Sequence, residues 1–293
     1  MNIDNWSGAI PSGIGHTAIF GNMDANLDGR AINTQTNLTL GSLIINRTGA
    51  AVSFNINSNT ITFAQASGPA NLTLSGTSSP AILSAIQLDS NLLIQHTGTG
   101  TLTVSDMSGG GRTLIHGGTG VTVLAGTVTG VPLIEISGGT LLLGAANRIG
   151  DSTAVYLSGG VFATGGHSEV LGGLTLRQDS IIDLGAGAST LTFAAGTHEA
   201  GTLTIANWSG SMSGGGADRI IFASNVADAF LAQVYWANLG IYGAKQIAGG
   251  EIIPIPETSV YLGAALLLGV AMVHGLRRRK NRVDSILNAA AAA

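Results

Sequence analysis

Leu102-Thr103-Val104, Thr113-Leu114-Ile115, Val121-Thr122-Val123, Ile134-Glu135-Ile136 and Leu141-Leu142-Leu143 follow one another through residues 102–143, separated mainly by Gly, Ser and Thr. Such phrases mark short half-buried strands, the Leu, Ile and Val side turned in and the Thr side out. The pattern extends backwards through Leu92-Leu93-Ile94 and Leu72-Thr73-Leu74. It extends forwards through Val155-Tyr156-Leu157, Leu174-Thr175-Leu176, Ile182-Asp183-Leu184, Leu191-Thr192-Phe193 and Leu203-Thr204-Ile205. Spacings of about 8 to 14 residues suit either a sandwich or a coiled solenoid. Strands this short, turned at glycines and poor in aromatics, favour the tight corners of stacked coils. The expected fold is all-β: a right-handed parallel β-helix, or β-solenoid. At about 20 residues per coil and about 4.8 Å between strands, residues 30–206 make roughly 9 coils.

Stacked coils bury one continuous core and need their open ends covered. The expected organisation is an N-terminal cap at 1–29, solenoid repeats at 30–206, a C-terminal cap at 207–253 and a separate tail at 254–293. Both caps contain Asn-Trp-Ser-Gly, at 5–8 and 207–210. In the second cap, Ser224-Asn225 followed by Asp228 predicts the start of a short helix. Its Phe230, Leu231 and Val234 would cover the last coil.

Composition removes several classes of function. The chain has 293 residues, of which 10% are charged and none is Cys, against about 25% charge in ordinary domains. Thiol nucleophiles, disulfides and Cys-ligated zinc are excluded. Of 12 Lys and Arg, five fall within residues 277–282, which leaves no basic face for nucleic acid. Residues 1–276 hold 7 basic and 15 acidic side chains; residues 277–293 hold 5 and 1. That asymmetry points to a membrane-facing tail.

The tail carries the most specific signal. Pro254-Ile255-Pro256-Glu257-Thr258 precedes the apolar run 259–276, which includes Val260, Leu262, Leu266, Leu267, Leu268, Val270 and Val273. Arg277, Arg278, Arg279 and Lys280 follow at once. At 1.5 Å per residue the run spans about 27 Å, enough for a single C-terminal transmembrane helix. The cationic cluster would hold its end in the cytoplasm and place the β-body outside.

Pro-Glu-Thr, apolar span and Arg cluster together resemble the PEP-CTERM sorting tail, departing from it at Thr258, where the family has Pro. That resemblance implies an exosortase-type peptidase as partner, with the lipid bilayer, and processing near Pro256-Glu257-Thr258. The body resembles the autotransporter-associated β-strand repeat in Gly138-Gly139-Thr140-Leu141-Leu142-Leu143-Gly144 and Thr97-Gly98-Thr99-Gly100-Thr101-Leu102-Thr103-Val104-Ser105. Both resemblances imply export, and Met1-Asn2-Ile3-Asp4-Asn5-Trp6 has neither a basic nor an apolar leader region. The expected natural N-terminus is therefore longer; the alternative is that the C-terminal span is itself the only targeting signal.

Chemistry-bearing residues are sparse. His16, His96, His116, His167, His198 and His274 show no ligand spacing and are expected in loops. His198-Glu199 begins like a metalloprotease helix, but Thr202 stands where the second ligand belongs. Asp179 and Asp183 would lie about 13 Å apart on a strand, too far for a hydrolytic pair. Arg177 and Asp179 are expected to form a surface ion pair. Asp24, Asn26 and Asp28 match half a calcium loop, but Gln35 replaces the bidentate carboxylate, so a turn is expected and no metal. Thr97, Thr99, Thr101 and Thr103 alternate and are expected to line one strand face.

The expected protein is a non-enzymatic structural component of the cell surface or matrix, without cofactor. The alternative is an adhesin binding carbohydrate or ice through Thr-rich faces, with an extracellular polysaccharide as partner. Behind both stands a polysaccharide-degrading β-helix enzyme.

Overall fold

The strand Leu92–His96 shows how the chain winds. In the computed structural model it runs parallel to Ala70–Gly76 on one side and Leu114–Gly118 on the other. Leu92 lies beside Leu114, so one coil here takes 114 − 92 = 22 residues. The structure describes residues 10–21, 31–33, 36–47, 55–57 and 59–255. Within them the chain is an all-β solenoid.

Each coil visits up to three sheets. After Leu92–His96 in the first sheet, Thr101–Val104 joins the second, between Ala81–Ile82 and Val121–Leu124. Met107–Ser108 then joins the third, between Ala85–Leu88 and Val128–Thr129. Among the described residues the sheets hold 12, 11 and 5 strands. The third thins to a single bridge, Val128 to Ile149. Beyond it the long strands Glu169–Leu176 and Thr190–His198 pair along most of their length, and Thr190–Phe193 also pairs with Arg219–Phe222. Among the described residues parallel pairing runs from Thr17 to Trp236, on both sides wider than the expected 30–206.

Register turns the short apolar phrases into columns. Leu72, Ile94, His116, Ile136, Leu157 and Leu176 stack through the first sheet. Leu102, Thr122, Leu141, Phe162, Ile182, Ile205 and Trp236 stack through the second. All are buried. Each Leu or Ile rung contributes about 1.5–3 kcal/mol by leaving water. The expected phase fails at one place. Val121 and Val123 face outward while Thr122 and Leu124 are buried. The strand is locked to its neighbours by the parallel ladder, and a strand held in register cannot choose its own face.

The C-terminal end is closed by a change of direction. Glu251–Pro254 runs antiparallel to Arg219–Phe222 and to Ala244–Gln246, and Ile241–Tyr242 runs antiparallel to Val234–Trp236. This covers the last parallel strands. The expected helix forms as Asp228–Leu231, with Phe230 and Leu231 buried. Val234 is not on it; it is buried as the first residue of the strand Val234–Trp236, held there by its parallel pairing with Leu203. The helix N-cap is Ala227, with no side-chain bond, instead of Ser224 or Asn225. Ser224 is engaged elsewhere, its hydroxyl donating to the Ala194 carbonyl at 2.9 Å. Phe230 meets Phe222 edge-on at 5.6 Å, and Phe222 stacks on Phe193 at 5.4 Å. Trp208 of the second Asn-Trp-Ser-Gly packs on Trp236 at 4.8 Å; the first copy lies outside the described residues.

Among the described residues no helix is long and apolar enough to cross a membrane. The span expected at 259–276 lies outside them, as do Pro256, Glu257, Thr258 and the cluster Arg277–Lys280.

Candidate functional site

Two kinds of polar residue stand out once the columns are built. The first lies inside the core. His96 and His116 sit at inward positions of Leu92–His96 and Leu114–Gly118, and Thr122 at an inward position of the facing strand; all three are 0% exposed. They are strand residues, not the loop residues the sequence suggested. His116 Nδ1 lies 2.9 Å from the Gly138 carbonyl, and its Nε2 lies 3.0 Å from the Thr122 hydroxyl. The same hydroxyl lies 3.4 Å from His96 Nδ1. Burial pulls His116 down to about 4; the Gly138 carbonyl opposes this and His96 adds to it. Burial also lowers His96, opposed by the backbone of Gly100 and Val121.

The second kind ties coil to coil through carboxylates. Glu169 Oε2 accepts from the backbone N–H of Arg148 at 2.7 Å and of Ile149 at 3.2 Å, where the third sheet is reduced to one bridge. Burial raises its pKa, opposed by those N–H groups. Asp218 accepts from Ser189 and Ser209, and Glu251 from the Gly215 N–H and Arg219 Nε. Asp106 accepts from both the N–H and the hydroxyl of Thr127, which lowers its pKa. Asp179 accepts from the Thr202 N–H at 2.8 Å. These side chains satisfy backbone donors of a neighbouring coil or loop that the ladders leave over.

The expected site residues fare differently. Thr97 and Thr99 lie exposed on a bend, and only Thr101 and Thr103 belong to the strand Thr101–Val104. The four Thr therefore do not share one strand face. Gly98 and Gly100 explain the break, since a Cβ on either would fall within 2.6 Å and 1.9 Å of backbone oxygens of the preceding coil. The chain turns a corner there that only glycine fits. Arg177 does not pair with Asp179. It pairs with Glu199 of the next coil at 3.0 Å and lies 3.8 Å from the Tyr156 ring centre. His198 Nε2 bonds the Gly201 carbonyl at 3.0 Å.

Pro254, expected to begin the separate tail, is the buried last residue of the strand Glu251–Pro254, opposite Ala244. Lacking an N–H, it suits a strand end. Asp24, Asn26, Asp28 and Gln35 lie outside the described residues. Among the described residues no three His, Asp or Glu gather where they could share a metal ion.

What the sequence reading missed is the inward placement of His96, His116 and Glu169. The signal existed for His96, which continues the alternation Leu92, Ile94. Comparison with protein-family models, with curated proteins and with solved structures finds no match.

Proposed function

We propose that the chain is an exported, non-enzymatic structural protein of the cell surface or extracellular matrix, sorted and anchored through a PEP-CTERM-like tail. The observation that carries this reading is the order of segments. Pro256-Glu257-Thr258, the apolar run 259–276 and Arg277-Arg278-Arg279-Lys280 stand directly after the strand that closes the solenoid. A cationic cluster behind an apolar span fixes orientation and keeps its own end in the cytoplasm. The body supports the reading from its own side. Its buried carboxylates are committed to backbone N–H groups, as a rod built to stay folded requires. The Thr97–Thr103 stripe gives the adhesin alternative no flat face.

The test is cell fractionation with C-terminal mass spectrometry, using the native export signal, in cells with and without an exosortase. With the peptidase, the mature chain should end near Thr258 and leave the membrane fraction. Without it, the full chain should stay membrane-bound. Soluble secreted protein that still carries Arg277–Lys280 would end the sorting proposal.

A further inference from the structure

The polar group inside the core has a direction. The Gly138 carbonyl can only accept, so His116 carries its proton on Nδ1 and presents a bare Nε2. Thr122 has one hydroxyl proton and gives it to that Nε2. The oxygen can then only accept, so His96 donates from Nδ1. The result is a chain of donations from His96 through Thr122 and His116 to Gly138. His96 Nε2 is left bare, buried and without a hydrogen-bond partner.

A further proton upsets this chain. Added to His116 Nε2, it would force the Thr122 hydroxyl to turn and donate to His96 Nδ1, moving the His96 proton onto the buried, unpartnered Nε2. Added to His96 Nε2, it would place a charge in an apolar column. Beside His96 only the backbone of Gly100 and Val121 favours a charged ring, and the strands packed around bring no charged side chain to compensate. Ala70–Gly76, Ala85–Leu88, Thr101–Val104, Met107–Ser108, Val121–Leu124 and Thr140–Leu143 carry no titratable side chain. Glu135 of Leu133–Ile136 faces outward and accepts from the Ser158 hydroxyl at 2.9 Å. Asp106 and Arg112, on neighbouring turns, are exposed. The space is also fixed. A Cβ on Gly120 would lie 2.4 Å from the His96 ring, and one on Gly139 3.1 Å from the His116 ring.

We propose that His96, Thr122 and His116 form an acid-sensitive latch in the middle of the solenoid. Taking up a proton breaks the donation chain and opens the corner between the first two sheets at these coils, while coils further along stay closed. The reading stands independently of the tail. The direction follows from linkage. Both imidazoles are held below their unfolded value of 6.5, His116 at about 4. Their contribution is therefore complete above about 6.5 and is lost as pH falls towards the folded values.

The experiment is hydrogen–deuterium exchange of the full chain from about pH 8 to about pH 4.5, corrected for the intrinsic pH dependence of exchange. Protection of 92–96 and 114–124 should fall about tenfold per pH unit for each proton taken up, while 174–176, 191–193 and 203–205 hold. In His96→Leu/His116→Leu/Thr122→Val, which replaces the whole chain by apolar rungs, the fall at these coils should vanish. Loss spread evenly over all coils, no loss, or the same loss in the triple variant would overturn the proposal. Should the variant not fold, the regional profile of the natural protein decides alone.

Discussion

The Ser189 backbone N–H and hydroxyl both donate to Oδ1 of Asp218, each at 3.0 Å and across 29 residues of sequence. The other oxygen accepts from the Ser209 N–H at 2.8 Å and its hydroxyl at 2.6 Å. Asp218 is fully buried, so the loops before Thr190 and before Arg219 are held by one carboxylate. Asp218→Ala leaves two backbone donors without an acceptor and should cost about 3–5 kcal/mol. Asp218→Asn keeps one oxygen and should cost about 1–3 kcal/mol. Urea unfolding of both variants checks the order. Equal and negligible losses would mean that the loops are held by something else.

Gly118 and Gly111 separate backbone conformation from space. Both have positive φ, 96° and 83°. A Cβ on Gly118 would lie 2.0 Å from the His96 carbonyl oxygen, whereas one on Gly111 meets nothing within 4 Å. Gly111→Ala should cost about 1 kcal/mol, the strain of the left-handed conformation alone. Gly118→Ala must also push one coil off the next and should cost several times that, about 3 kcal/mol or more. Thermal melting of the two variants side by side decides it, and similar losses would refute the packing argument.

The core columns were legible because Leu72, Ile94, Ile136, Leu157 and Leu176 each belong to an alternating phrase. The phrase Val121-Thr122-Val123 misled because Val121/Val123 and Thr122/Leu124 are equally good alternations; only the neighbouring rungs Leu102 and Leu141 select the second. The Thr97–Thr103 stripe failed for a related reason: period-two alternation survives a glycine corner on paper but not in space. The carboxylate ties were illegible because the step between coils varies. Ser42 lies opposite Asn71, 71 − 42 = 29 residues on, while Leu92 lies opposite Leu114 after 22. No fixed period could pair Glu169 with Arg148, or Asp218 with Ser189.

Arg177 and Glu199 form an ion pair at 3.0 Å, with side chains 35% and 52% exposed. Exposed pairs gain little over hydration. Glu199→Ala should change stability by less than about 0.5 kcal/mol. Arg177→Ala should cost somewhat more, up to about 1 kcal/mol, because it also uncovers the Tyr156 ring. A double-mutant cycle run at low and high salt measures the pair. Coupling above about 2 kcal/mol would contradict this weighting.

Glu169 supplies the acceptor that Arg148 and Ile149 need where the third sheet is interrupted. Glu169→Leu removes it and should cost about 2–4 kcal/mol. Glu169→Gln keeps one oxygen for both N–H groups while removing the buried charge, so its effect at neutral pH should be small. The pH dependence then separates the charge from the hydrogen bonds. Burial raises the folded pKa of Glu169 above its ordinary value, so the folded state binds this proton more tightly than the unfolded chain. Acidification through that range therefore adds stability to the natural protein, opposite in sign to the contribution of His96 and His116. The Gln variant has no such proton to bind. Its stability relative to the natural protein should decline as pH falls from neutral to about 4, and then level off below the unfolded pKa of about 4.3. Paired urea midpoints across that range measure the difference, and a gap that does not change with pH would show that Glu169 is not shifted by its burial.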